Sequence, residues 1–223
     1  MKRKEFNPYK KEFVEATKRI LAAEHSENLD EAAFPAYSNP NPLMNFLFWE
    51  RIYRVMNYIE PKGTLEKVLD FGCGSGVMLP FLAKQAKEVI GVDIDLTPLE
   101  KIEQYINFPK NVSFQETYEE IPEKSLDLII ALDVLEHVDN LERELDEFTS
   151  LLASGGELIV SGPTENFLYK IGRFLAGSSY SGHYHVRNVY DIRSATQKKL
   201  TTRNLATLYP IVPFFLIYTA TAE

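Results

Sequence analysis

The chain has 223 residues, 45% hydrophobic and 25% charged, the balance of a folded globular protein with room for one domain and appended elements. A formal net charge of −8 disfavours a nucleic-acid partner held on a basic face. The single cysteine, Cys73, excludes an internal disulfide and points to a reducing, cytoplasmic compartment.

The basic start, Met1-Lys2-Arg3-Lys4-Glu5, has no apolar core behind it and does not read as a signal peptide. Residues 8–24 read as an amphipathic helix with Phe13, Val14, Ile20 and Leu21 on one side. Residues 28–42 are loop-like, with Pro35, Pro40 and Pro42. Asn41-Pro42 is a helix start, a cap followed by proline at the first position. Phe46, Trp49, Ile52, Tyr53, Met56 and Ile59 mark the apolar face of that helix, which Pro61 and Gly63 end. The two helices either cover an edge of the fold or cap a ligand pocket, and the sequence supports both readings.

Strand and helix then alternate. Val68-Leu69 is a short buried strand, followed by glycines at 72, 74 and 76 and by a helical pattern in Val77, Met78, Phe81 and Leu82. Residues 88–93 form a second strand ending in Asp93. Thr97-Pro98-Leu99-Glu100 reads as a capping box opening a helix to about Ile106. Residues 112–114 and 126–132 are further strands. Asp139-Asn140-Leu141-Glu142 caps a helix to about Ala153, Gly155-Gly156 breaks it, and 157–161 is a fifth strand. Residues 163–175 read as helix, 176–185 as a polar loop and 189–200 as helix. The uncharged run 204–222 raises a transmembrane question. Its prolines, Pro210 and Pro213, and its threonines and tyrosines fit two neighbouring strands better, 205–209 and 214–218, paired antiparallel. Right-handed crossovers give a parallel sheet covered on both faces. The expected organisation is a single domain. It comprises an N-terminal helical extension (1–62), a core (63–162), an acceptor-side lid and helix (163–200) and closing strands (201–223).

The chemistry centres on Asp70-Phe71-Gly72-Cys73-Gly74-Ser75-Gly76. A dinucleotide loop reads G-x-G-x-x-G and aims a helix N-terminus at a pyrophosphate. Here the spacing is G-x-G-x-G and a carboxylate stands at the strand tip. That carboxylate would repel a diphosphate and attract an ammonium group. Asp93, at the next strand tip, suits ribose hydroxyls, because an ionised carboxylate only accepts hydrogen bonds. Asp95 suits a helix-terminal charge.

At these residues the sequence resembles motif I of the class I S-adenosylmethionine-dependent methyltransferases. The resemblance covers roughly residues 64–165. It implies an α/β, doubly wound, Rossmann-like seven-stranded mostly parallel sheet, with an antiparallel C-terminal strand pair and extra N-terminal helices. It also implies cofactor contacts from Asp70, Gly72, Cys73, Gly74, Gly76, Asp93 and Ile94. Glu116-Thr117-Tyr118-Glu119-Glu120-Ile121-Pro122 resembles the family's adenine-side phrase, with Thr117 where aspartate is usual, so the Thr117 hydroxyl, Glu116 or backbone atoms meet the adenine amino group. Leu132-Asp133-Val134-Leu135-Glu136-His137-Val138 resembles the V-L-E-H phrase of type 11 and quinone-biosynthesis methyltransferases, which puts Leu132 and Asp133 at the border of the cofactor.

Asp133, Glu136 and His137 would share a face of a helical turn and could hold a divalent ion, but capping of the next loop is the preferred reading and no metal is expected. His137, His183 and His185 are the candidate proton acceptors, the last two on one side of an extended lid segment with Tyr184 opposite. Lys170 and Arg173, among apolar residues in 167–175, leave room for an acidic amphiphile or a peripheral membrane contact. The expected function is methyl transfer from S-adenosylmethionine to a small molecule by in-line displacement, leaving S-adenosylhomocysteine. The alternatives are a nicotinamide-dependent Rossmann oxidoreductase and a non-catalytic interaction module.

Overall fold

The computed structural model describes residues 1–24, 29, 34–164, 187–208 and 213–222. In chain order it runs through α1 (Arg3–Ala23), α2 (Phe34–Tyr37), α3 (Pro42–Ile59), a 3-10 turn (Glu60–Lys62), β1 (Leu65–Phe71), α4 (Leu79–Leu82), β2 (Ala86–Val92), α5 (Thr97–Glu103) and β3 (Val112–Gln115). It continues through β4 (Leu126–Leu132), α6 (Leu141–Leu151), β5 (Leu152–Pro163), α7 (Val189–Thr196), β6 (Thr201–Leu208) and β7 (Phe215–Thr221). The strands form one sheet in the order β3-β2-β1-β4-β5-β7-β6. β1 with β4, β4 with β5 and β2 with β3 pair parallel, and β7 runs antiparallel to both β5 and β6. This is the mostly parallel sheet with a closing antiparallel pair that the sequence predicts. The strand order reverses at β1 and β4, and open α/β sheets bind ligands outside the carboxyl ends of strands at such a point. Among the described residues no helix is long and apolar enough to cross a membrane, and the uncharged C-terminal run supplies the second part of β6 and all of β7.

The described chain divides into two compact units. The first comprises Met1–Glu66 and Cys73–Tyr118. Its helices pack around an aromatic cluster. Phe6 and Phe13 meet Trp49 edge-on at 5.9 and 6.0 Å between ring centres, and the Trp49 indole donates to the Tyr37 carbonyl at 3.0 Å. Asn41 caps α3 as expected, accepting from the Leu43 amide at 2.9 Å. The buried face of α3 differs from the apolar pattern. Phe46 is 45% exposed, while Glu50 and Arg51 are buried. Tertiary partners override hydropathy here. Arg3 and Arg54 both pair with Glu50, and the Arg51 guanidinium lies 5.3 Å from the Phe48 ring centre and donates to the Tyr37 hydroxyl.

Three local expectations also change in this unit. α1 starts at Arg3, before Pro8, because the Glu5 carboxylate accepts the Lys2 amide at the first turn. α4 has four residues only. The Thr97 capping box does not form. Thr97 is already helical, its amide donates to Asp95 Oδ1 at 3.0 Å, and α5 stops at Glu103.

The second unit comprises Lys67–Gly72 and Glu119–Glu223. Asn140 caps α6 through the Arg143 amide at 3.2 Å. β5 starts at Leu152, well before Glu157, because Gly155 at φ 78° lets the strand pass through its glycines instead of ending the helix there. α7 stops at Thr196, whose hydroxyl meets the buried Tyr218 hydroxyl at 2.9 Å; burial keeps that phenol protonated far beyond its ordinary range.

Glu50 offers a direct test of this packing. Its two arginine partners are half exposed while its own side chain is not. Replacing both arginines (Arg3→Gln with Arg54→Gln) strands a buried carboxylate and should cost about 2–3 kcal/mol. Glu50→Gln removes the charge itself and should cost less. Urea unfolding compares the two, and an equal or larger loss for Glu50→Gln would contradict the arrangement.

Candidate active site

The first unit holds most of the glycine loop and the tip of β2. Gly74 and Gly76 have φ of 51° and 69°, a region closed to most side chains. A Cβ on Gly76 would sit 2.6 Å from Cδ2 of Leu99. Cys73 is buried, its sulfur packs on Gly91, and its amide is committed to the Val92 carbonyl at 3.1 Å.

Asp93 follows β2. Its carboxylate accepts the Gly74 amide at 2.8 Å and the Asp95 amide at 3.4 Å. Burial pushes its pKa above the usual carboxylate value, and these amide donors pull it only partly back. Each carboxylate oxygen accepts two hydrogen bonds, so capacity for further donors remains. Ile94, the next residue, is 90% exposed. Glu116 and Thr117 lie exposed after β3, where the Thr117 carbonyl accepts from the Gln115 side-chain Nε2 at 2.6 Å. One contact was not legible in the sequence. The Tyr9 hydroxyl of α1 donates to the carbonyl of Val77, the residue after Gly76. The N-terminal helices therefore touch the glycine-loop segment.

The second unit holds β1 and the ends of β4 and β5. Asp70 is only 4% exposed in β1, in register with Ile130 of β4. Gly72 has φ 69°, and a Cβ there would stand 2.3 Å from Cγ2 of Val134. So the phrase after β4 packs directly on the first loop glycine. Leu132 ends β4 half-buried. Asp133 sits at φ 58°, a left-handed conformation that aspartate tolerates better than most residues. Ser161 holds it there twice, its carbonyl accepting the Asp133 amide at 2.9 Å and its hydroxyl donating to Asp133 Oδ1 at 2.9 Å. Non-glycine backbone kept in such a conformation is characteristic of functional sites.

That positive φ also corrects the shared face expected for Asp133, Glu136 and His137. The segment is a turn, not a helix, with Glu136 buried and His137 exposed. Arg187, unremarked in the sequence, donates to the carbonyls of Val138 at 2.6 Å and Asp139 at 3.1 Å. Among the described residues no group of three or more His, Cys, Asp or Glu is placed to hold a metal ion. His183 and His185, with the expected helix and lid of 165–186, lie outside the described residues.

The raised pKa of Asp93 has a definite sign for stability. The folded chain holds that proton more tightly than the unfolded chain does. Its contribution therefore falls as pH rises from the ordinary value of 3.8 through the raised one. Asp93→Asn removes this titration and keeps an oxygen for the Gly74 amide. The variant should match or exceed the wild type in melting temperature near neutral pH, its relative stability growing as pH rises. Scanning fluorimetry across pH checks this, and a variant that loses ground as pH rises would contradict it.

The methyltransferase-domain family model matches residues 23–199, well over half of the chain. A probable S-adenosylmethionine-dependent methyltransferase of Mycobacterium tuberculosis is 30% identical over 119 residues, covering 52% of this chain and 43% of that protein. The ubiquinone biosynthesis O-methyltransferase of Coxiella burnetii is 32% identical over 118 residues, covering 50% of each. The chain thus spans about half the length of the curated relatives it matches. The solved structure of the N-methyltransferase NodS from Bradyrhizobium japonicum, in complex with S-adenosylhomocysteine, superposes with a TM-score of 0.64 at 17% identity, over 95% of this chain and 98% of that chain. At that identity the likeness is one of fold. The family match, the sheet and the Asp70-led glycine loop agree, and they displace the nicotinamide reading: the chain belongs to the class I S-adenosylmethionine-dependent methyltransferases.

Proposed function

We propose that the chain transfers the methyl group of S-adenosylmethionine to a small-molecule acceptor by in-line displacement, leaving S-adenosylhomocysteine. The observation that supports this most is the pair of carboxylates at successive strand tips, Asp70 buried in β1 and Asp93 half-buried after β2, joined in sequence by positive-φ glycines. Bound S-adenosylmethionine supplies a methyl already activated by the sulfonium charge. The chain's part is recognition and alignment.

In this reading Asp70 takes the ammonium of the amino-acid end, with backbone of Gly72 and Gly74. Asp93 takes the ribose hydroxyls on the acceptor capacity that Gly74 and Asp95 leave. Ile94 buries its exposed side chain on the adenine, a gain that scales with the apolar area removed from water. Glu116 or Thr117, exposed in its loop, meets the adenine amino group. Cys73 and Gly76 shape the loop, and Leu132 and Asp133 border it. The small-molecule acceptor rests on the V-L-E-H-like phrase and on the Coxiella relative, named for ubiquinone biosynthesis. His137, exposed after β4, is the candidate among the described residues to accept a proton from an acceptor hydroxyl; His183 and His185 are the other two candidates from the sequence.

Calorimetry with S-adenosylhomocysteine tests the proposal. The wild type should bind it and ignore NAD. Asp70→Asn, checked for folding by circular dichroism, loses a charge-assisted hydrogen bond of about 1.5–3 kcal/mol, roughly tenfold to a hundredfold in affinity. Unchanged affinity in the folded variant sinks the role of Asp70, and a wild type that fails to bind sinks the proposal. Once an acceptor is known, His137→Ala should lower turnover at unchanged affinity for S-adenosylhomocysteine; full turnover removes His137 from the chemistry.

A further inference from the structure

A concave surface lies within the N-terminal helices, away from the glycine loop. It is an open hollow of about 560 Å³, and α1 lines one wall with Asn7, Lys10, Lys11 and Lys18, while Asn39 and Asn45 belong to the other wall, from the α2–α3 connection and the first turn of α3. A volume of this order suits a small organic ligand, typically a few hundred Å³ or more. Asn7, Lys11 and Lys18 recur at helical spacing, so they share one face of α1.

The charge of this wall runs against the chain's overall balance of −8. Among the described residues Lys10 and Lys18 make no ion pair, and Lys11 makes only a 3.9 Å contact with Glu15 of its own helix. Lys10 is half-buried, with its ammonium 5.6 Å from the Trp49 ring centre. Burial, and then the nearby Arg3 charge, push its pKa below the ordinary lysine value. Lys11 and Lys18 are exposed, so Lys10 alone is partly withdrawn from water; lining one hollow with few counter-charges, the three still gain from an anion between them. The amide of Asn45 is committed to the Tyr37 carbonyl at 2.8 Å and the Ser38 hydroxyl to the Phe34 carbonyl at 2.9 Å. The donors left to a ligand are therefore the three ammonium groups with the amides of Asn7 and Asn39.

We propose that this pocket binds the phosphate group of a phosphorylated ligand, through Lys10, Lys11 and Lys18. Three compact positive charges match a dianionic phosphate better than a single carboxylate, and lysine serves phosphate as a point charge. The group could come from a soluble phosphorylated metabolite or from a lipid headgroup; exposed Leu43 and Phe46 on the first turns of α3 suit the latter. The inference does not rest on methyl transfer.

The test uses the full chain. Inorganic pyrophosphate, titrated calorimetrically at low salt, should bind the wild type and weaken as salt is added. Lys10→Gln with Lys18→Gln should lower that affinity about tenfold or more while binding of S-adenosylhomocysteine is unchanged. Vesicles of phosphatidylcholine with and without phosphatidic acid separate the sources. Capture only by phosphatidic acid, lost in the double variant, assigns a lipid headgroup; pyrophosphate binding without vesicle capture assigns a soluble phosphate. A wild-type measurement guards against a misfolded variant: pyrophosphate or phosphatidic acid should protect Lys10, Lys11 and Lys18 from acetylation, read by mass spectrometry, and leave Lys67 and Lys87 reactive. Failure of both probes to bind, binding indifferent to the double substitution, or equal acetylation with and without the bound probe would overturn the proposal.

Discussion

The hydrogen bond from the Gly74 amide to the Asp93 carboxylate, at 2.8 Å, is the contact on which the site's first half depends. Glycines make the loop geometrically possible and entropically expensive, by roughly 0.5–1 kcal/mol each. A hydrogen bond to a charged acceptor returns about 1.5–3 kcal/mol. The two are of the same size, so a single carboxylate can hold a loop that would otherwise sample many conformations. Burial disfavours the ionised form of that same carboxylate. The site therefore keeps an acceptor that is more basic than usual and has capacity left over. Perturbed acids of this kind concentrate where ligands are handled.

Neighbouring chain then makes the glycines obligatory. Val134 closes on Gly72 and Leu99 on Gly76, each nearer than a Cβ permits. Val134 takes its position because Asp133 turns the chain at positive φ, and Asp133 is held by Ser161. A phrase that sequence alone marks only by resemblance thus has a mechanical role: it ends β4 in a rigid turn and packs against the first loop glycine. Fixed backbone of this kind is what alignment of a reacting group requires.

The regular elements were legible where local chemistry and tertiary context agree. Residues 126–132 read as an apolar run and form β4 over the same span; Asn41 reads as a cap and serves as one, while the box Asp139-Asn140-Leu141-Glu142 gives its cap through Asn140. Legibility failed where a partner from another element, a competing local acceptor or a single backbone angle decides. Glu50 and Arg51 are buried because Arg3 of α1 pairs with Glu50 and the Tyr37 hydroxyl of α2 accepts from Arg51, while Phe46 is left exposed. Gly155 reads as a breaker, yet its positive φ carries β5 onward from Leu152. The Thr97 box yields to Asp95, one more short acceptor beside the same helix start. In the site, Asp70, the glycines and Asp93 were visible as a motif. The Tyr9 contact, the Ser161 clamp and the lysine-lined pocket were not, since each requires knowing which elements meet.

The account makes Asp93 both the brace of the glycine loop and the acceptor for the ribose of S-adenosylmethionine. Its side-chain carboxyl carbon, followed by NMR through a pH titration with and without S-adenosylhomocysteine, reports on both roles at once. Ribose hydroxyls donating to the carboxylate favour its ionised form. The raised pKa of the free protein should therefore move down when S-adenosylhomocysteine is added. A pKa that stays where it was at saturating ligand would contradict it.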